Sequence, residues 1–248
     1  MSTAPLIGKR AFVTGGSRGI GAGIVRRLAG EGAAVAFTYS ASAEPAEALA
    51  SELTAKGATV VALKADAADP AQSAAAVEQA VTELGGLDIV VNNAAVAHFA
   101  LIDDFPGDEF DRQVAINIGS VFWTTRTAVK HLGEGGRIIN IGSINADRIP
   151  TPGASVYGMT KGAVASLTRG LARDLGPRGI TVNNVQPGPV DTDANPDTGD
   201  FAESLKRLGT QGRYGHTDDV AALVAFLAGP ESGYITGAAL NVDGGFTV

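Results

Sequence analysis

The stretch TGGSRGIG, residues 14–21, follows the β-branched, apolar run KRAFV and opens a segment in which Ile20, Ile24 and Leu28 recur at helical spacing. A glycine-rich turn from strand to helix leaves the first N–H groups of the helix without intrahelical partners. With the positive end of the helix dipole, they face whatever lies beyond the strand. Gly15, Gly19 and Gly21 permit the tight turn and the close backbone approach that a pyrophosphate needs; an ordinary turn is the other reading of the same residues. The Gly-x-x-x-Gly-x-Gly spacing also departs from the Gly-x-Gly-x-x-Gly dinucleotide pattern, so the inference rests on the strand-to-helix context.

Outward from this turn the chain alternates. KRAFVTG, AAVAFTY, TVVALKAD, LDIVVNNA, GRIINIGS, ITVNNVQPG and AALNVDGG are strand-like, and Ala-rich helical segments separate them. Asp69 and Pro70 form an N-cap and first-turn proline, Pro45 suits another first turn, and Gly176-Pro177 stops a helix. The strands are apolar on both faces, so helices must cover both sides. The expected fold is α/β: a doubly wound, parallel, seven-stranded sheet of Rossmann type with helices on both faces and a ligand crevice beyond the carboxyl ends of the strands.

Composition sets limits. The chain has 248 residues, 45% of them hydrophobic, enough for one large core, and 1–248 reads as a single dinucleotide-binding and catalytic domain. Without cysteine there is no disulfide, thiolate nucleophile or Cys-based metal site. His98, His131 and His216 are isolated in sequence, so no metal is expected. A net charge of −7 disfavours nucleic acid as partner, and no apolar run approaches the ~20 residues that span a bilayer. A cytoplasmic protein acting on a small molecule is the expectation.

Tyr157 and Lys161 lie four residues apart at the start of a predicted helix, on one face. A phenol is a poor acid near neutrality, but a fixed ammonium beside it stabilises the phenolate and makes tyrosine a usable acid/base. The bland reading is a surface pair.

Further elements complete one ordered pattern: Asp66 after the third strand, NNAA at 92–95 after the fourth, Asn117 in the next helix, Ser143 ending the fifth, and PGPVDT at 187–192. With TGGSRGIG, Tyr157 and Lys161, this resembles the short-chain dehydrogenase/reductase family over essentially the whole chain, most closely the 3-oxoacyl-carrier-protein reductases and related carbonyl reductases. The resemblance implies that Ser143 binds the substrate carbonyl oxygen and Tyr157 protonates it. It implies that Lys161 lowers the tyrosine pKa and holds the nicotinamide ribose, and that Asn117 anchors a water chain. Gly15, Ser17, Arg18, Gly19, Ile20 and Gly21 would cradle the cofactor phosphates. Asp66 would meet the adenine, Asn93, Ala94 and Ala95 would line the cofactor, and Pro187, Gly188, Val190 and Thr192 would surround the nicotinamide. The family usually has Gly where Ala95 stands.

At the end of the second strand, where NAD enzymes of this fold place a carboxylate, the chain has Tyr39 followed by Ser40, and Arg18 offers a cation to a 2′-phosphate. NADP(H) is therefore expected over NAD(H). The acidic segment DTDANPDTGD lacks the interval to a calcium-binding Glu and contains Pro196, so it reads as part of a substrate lid over about 189–212. Three functions compete: an oxidoreductase on a small or medium ketone or alcohol, with carrier-bound 3-oxoacyl substrates as the alternative; a non-catalytic NADP(H)-sensing regulator; and an epimerase or dehydratase of the extended branch. The resemblance, and the apolar segments 108–132 and 154–176, point to a homotetramer.

Overall fold

The computed structural model describes residues 4–248. All seven expected strands form: β1 (Arg10–Val13), β2 (Ala34–Tyr39), β3 (Val60–Lys64), β4 (Ile89–Asn92), β5 (Arg137–Ile141), β6 (Thr181–Pro187) and β7 (Ala239–Val242). They make one sheet in the order β3-β2-β1-β4-β5-β6-β7, every pair parallel. The order reverses between β1 and β4, and the crevice expected of a doubly wound sheet opens there.

Helices α1 (Gly19–Gly30), α2 (Ala43–Ala55), α3 (Pro70–Leu84), α4 (Gly107–Val114), α5 (Ser120–Ala128), α6 (Ser155–Leu175), α7 (Asp200–Lys206) and α8 (Thr217–Ala228) complete the fold. Asp69 caps α3 by accepting from the N–H groups of Ala71 and Gln72, and Pro70 occupies the first turn. The strand side chains feed two cores, one per face. One holds Val13, Val35, Phe37, Val91 and Ile139 with Ile24, Leu28 and Val224, and the other holds Phe12, Val90, Ile138 and Val182 with Val77 and Leu132.

Two features depart from the sequence reading. The segment expected to be one helix over 108–132 is α4 and α5 joined by a π-helical turn, Ala115–Gly119. And β7 is not buried on both faces: Ala239 and Asn241 are exposed and Leu240 and Val242 half-buried, because β7 is an edge strand with no neighbour beyond it.

Polar groups inside the sheet fix its registers. At the β1/β4 seam Arg10 donates from its main-chain N and from Nε to Asp88 Oδ2, at 2.9 and 2.7 Å, and from Nη2 to Oδ1 at 3.1 Å. Asn92 Nδ2 donates to Asn140 Oδ1 (2.8 Å) and Thr125 Oγ1 (3.1 Å), and Asn140 Nδ2 donates to Thr168 Oγ1 (2.8 Å). That buried chain ties β4 and β5 to α5 and α6, so α6 arrives over the carboxyl end of β5 in a fixed rotation.

Candidate active site

Apart from Asn117, Tyr157 and Lys161, which lie on helical segments, the residues singled out for cofactor or substrate lie at the carboxyl ends of parallel strands. The glycine turn follows β1, Tyr39 ends β2 with Ser40 after it, Asp66 follows β3, Asn93 to Ala95 follow β4, Ser143 follows β5, and Pro187 ends β6 with Gly188 to Thr192 after it. Parallel pairing alone carries them to one side.

The glycine turn is held by its neighbours. Gly15 and Gly19 have φ of 65° and 54°, in the left-handed region. A Cβ on Gly21 would lie 2.1 Å from the Gly15 carbonyl oxygen and 2.6 Å from Asn93 Nδ2. Asn93 Nδ2 donates to the carbonyls of Thr14 (3.0 Å) and Gly15 (2.9 Å), binding the β4 exit to the β1 exit. Two hydroxyls that the sequence reading passed over finish the seam. Thr14 Oγ1 accepts from the N–H groups of Asn93 and Ala94, and Thr38 Oγ1 accepts from Gly15 N–H. Their signal was position, since each is a strand-terminal Thr facing a glycine turn. A Cβ on Gly19 would come 3.3 Å from Thr192 Cγ2, so the segment after β6 reaches across the crevice to the turn. Ile20 packs against the core beside it.

Arg18 precedes α1 with an extended backbone, makes no capping bond and is exposed; among the described residues no carboxylate pairs with it. Ser17 and Tyr39 are half-buried and Ser40 is exposed. Asp66 is exposed and closes a turn by accepting from Ala68 N–H at 2.9 Å. Ala95 is exposed too. Val190 is buried, and Gly188 donates its N–H to Val242, with no room for a Cβ beside Asp243.

Ser143, Tyr157 and Lys161 come together where β5 ends and α6 begins. The Ser143 hydroxyl accepts from Asn145 N–H at 3.1 Å and shares a side-chain hydrogen bond with Tyr157. Lys161 Nζ lies 5.7 Å from the centre of the Tyr157 ring and donates to the Ile141 carbonyl at 2.9 Å. Burial pushes the phenol pKa above its ordinary value, and the Ser143 bond opposes this. Burial also lowers Lys161 to about 8. The expected depression of the phenol by Lys161 is therefore not realised in this state, because desolvation dominates and the ammonium is aimed at Ile141.

Asn117 sits in the π-helical turn. Its Oδ1 accepts from Val96 N–H and its Nδ2 donates to the Val96 carbonyl, both at 2.8 Å, and to Thr160 Oγ1 at 3.0 Å. Thr160 in turn donates to the Tyr157 carbonyl. Both amide protons are committed to protein acceptors, so the side chain can offer a water chain only the remaining acceptor site of Oδ1. The visible role is mechanical: Asn117 clamps the loop after β4 to the turn of α6 that carries Tyr157.

Phe99, in that loop, places its ring centre 5.6 Å from that of Tyr157 at 58°. Residues 189–212 contain α7, whose Ala202 and Leu205 pack with Ile144, Tyr214 and Phe246. The histidines are dispersed: His98 lies edge-on to Phe105, His131 is 3.0 Å from Glu78, and His216 caps α8. Among the described residues no helix is long and apolar enough to cross a membrane.

Comparison with known proteins places this geometry. The family model described as enoyl-(acyl carrier protein) reductase matches residues 15–247. A short-chain dehydrogenase/reductase from Serratia marcescens is 59% identical with a TM-score of 0.97, over 98% of this chain and 100% of that one. A short-chain dehydrogenase from Burkholderia cenocepacia, solved in complex with NADP, is 49% identical with the same TM-score and coverage. The cyclic-di-GMP-binding biofilm dispersal mediator protein of Escherichia coli is 46% identical over 96% of this chain and 97% of its own.

Proposed function

Because the chain belongs to the short-chain dehydrogenase/reductase family, we propose that it is an NADP(H)-dependent oxidoreductase acting between a small or medium ketone and the corresponding secondary alcohol. The observation that carries this reading is the convergence of Ser143, Tyr157 and Lys161 beside a glycine turn that backbone contacts hold open for a dinucleotide. The residues suit the cofactor: the turn excludes side chains where phosphates approach, Arg18 has no carboxylate partner among the described residues, and Tyr39 stands where NAD enzymes carry an acid.

Bound NADPH would supply the hydride. Ser143 then holds the carbonyl oxygen, and Tyr157, a neutral phenol whose ionisation burial opposes and Ser143 favours, gives that oxygen its proton. Lys161, next to the phenol, stabilises the phenolate that proton transfer leaves behind and can reach the nicotinamide ribose. Asn117 keeps the β4 loop and α6 in register throughout.

Free ketones are favoured over carrier-bound acyl chains by charge. Asp103, Asp104, Asp108, Glu109 and Asp111 follow β4, and Asp191, Asp193, Asp197 and Asp200 follow β6, an acidic surround for an acidic carrier protein. Arg137 adds nothing to a basic patch, since it is buried and donates to the carbonyls of Gly135, Gly136 and Gly229. The exposed Arg126, Lys130, Arg169 and Arg173 are what a carrier would have to use. The chain works as one catalytic domain with 189–212 as its lid, in the cytoplasm and as a homotetramer. Assembly is supported by a groove of about 480 Å³ between α4 and α6 lined by Ile102, Phe110 and Met159, and by the exposed edge of β7.

NADPH oxidation by the purified protein over a panel of ketones, β-keto esters and a 3-oxoacyl carrier protein tests the reading. Turnover of free ketones supports it; a strong preference for the carrier substrate that collapses with salt replaces the substrate assignment. Light scattering at micromolar concentration tests the tetramer, which a monomer would contradict. The Escherichia coli relative favours one second reading, a regulator that binds NADP(H) without turnover. NADPH binding without oxidation of any substrate, together with saturable binding of cyclic-di-GMP, would establish that instead.

A further inference from the structure

The loop after β4 carries a large apolar side chain that the fold does not bury. Phe99 is 57% exposed, yet it is the ring nearest the proton donor, 5.6 Å from Tyr157 and tilted by 58°. Its position is fixed from both sides. Asn117 holds the main chain of Val96, and Ala100 N–H donates to the Gly153 carbonyl at 3.1 Å, tying the segment to the loop that follows Ser143. The ring meets Tyr157 at a tilt and the rest of it is open beside the catalytic residue. Covering such a ring with an apolar ligand group removes its remaining surface from water and is favourable.

We propose that Phe99 is a specificity-determining residue that stacks on an aryl group of the substrate, so that aryl ketones are preferred over aliphatic ketones of equal size. The inference rests on the oxidoreductase reading above and deepens it. A ketone held by Ser143 and Tyr157 has its carbonyl oxygen at the phenol hydroxyl, and an aryl group on the carbonyl carbon then lies within the 4.5–7 Å centroid range of offset or edge-to-face aromatic pairs with Phe99. The surroundings disfavour an anionic substituent on that side: Leu101 and Ile149, both about half exposed, belong to the two loops that Ala100 and Gly153 join, and the carboxylates of Asp103 and Asp104 follow directly. A neutral, flat, apolar substituent is the chemistry that fits.

The test compares acetophenone with cyclohexyl methyl ketone, near-equal in size and differing in the ring, for the full-length protein and for Phe99→Leu and Phe99→Tyr. Aromatic pairing predicts that kcat/KM of the parent favours acetophenone about fivefold beyond the ratio of their intrinsic reactivities with borohydride, that Phe99→Leu removes this preference through KM, and that Phe99→Tyr retains it. NADPH affinity, read by fluorescence titration, should stay within twofold in both variants. Equal corrected efficiencies for the two ketones in the parent, or an unchanged preference in Phe99→Leu, would overturn the role of Phe99 and leave the oxidoreductase reading intact. A Phe99→Leu protein that changes assembly state by light scattering while keeping its aryl preference would make Phe99 a subunit contact, also overturning it. Failure of every ketone to oxidise NADPH would remove both readings together.

Discussion

The Lys161 ammonium donates to the Ile141 carbonyl at 2.9 Å, so the last residue of β5 fixes the charge that faces Tyr157. This is a cation held at a site that lowers its pKa from 10.5 to about 8. Between those values the unfolded chain binds more protons than the folded one, so stability rises with pH across that window. Below it the buried charge weighs against the fold in full. The shift corresponds to about 3 kcal/mol, less about 1 kcal/mol for the hydrogen bond that removal would also lose.

Lys161→Met is therefore expected to melt about 5 °C above the parent at pH 7. The advantage should shrink as the pH is taken from 8 to 10.5. Melts across that range check it, and a variant less stable at pH 7 would show that the ammonium is not a net burden. The same variant should lose turnover and bind NADP(H) more weakly.

Tyr157→Phe removes the proposed proton donor and little else. Turnover should fall at least a hundredfold while NADPH affinity stays near that of the parent; retention of more than a tenth of kcat would dismiss Tyr157 as the acid. In the parent, ketone reduction should hold steady through neutral pH and decline above about 8, as Lys161 loses its charge. A decline only on the acid side would contradict this order of titrations.

Arg18→Ala should weaken NADPH binding at least tenfold, about 1.4 kcal/mol, and leave NADH almost unchanged, because only the 2′-phosphate contact is lost. Fluorescence titration with both dinucleotides decides. Equal losses for the two would assign Arg18 to the shared pyrophosphate instead.

Gly21→Ala places a methyl 2.1 Å from the Gly15 carbonyl oxygen, a contact that only a displaced glycine turn relieves. NADPH affinity should drop more than tenfold and the melting temperature by several degrees. Gly30→Ala is the control, since a Cβ there meets nothing within 4 Å. It should match or exceed the parent in stability. Equal behaviour of the two variants would refute the steric account.

The strands were legible because each is a short apolar run closed by a turn signal, and parallel pairing then collects their carboxyl ends without further information. Tyr157 and Lys161 were legible as a pair because helix geometry fixes an interval of four. What escaped the sequence depends on partners distant in the chain. Nothing local distinguishes Ala115–Gly119 from α-helix; its π-helical turn accompanies the clamp of Asn117 on Val96 and Thr160. Thr14 and Thr38 look like ordinary strand residues until the glycine turn folds over them. The direction of the Tyr157 shift was missed because it is set by burial, which chain order does not reveal.

The β1/β4 seam also governs when a binding site can first exist. Arg10 and Asp88 are separated by 78 residues, and the strands they join flank the crevice. Closing so long a loop delays the central pairing relative to the local helices and makes it a slow, entropy-limited event. On a ribosome, β1 to β3 emerge with their glycine turn but without Asn93, whose amide binds that turn to the exit of β4. A nascent chain cut short before residue 93 therefore has no formed dinucleotide crevice, and cofactor cannot assist its folding until the fourth strand has been synthesised.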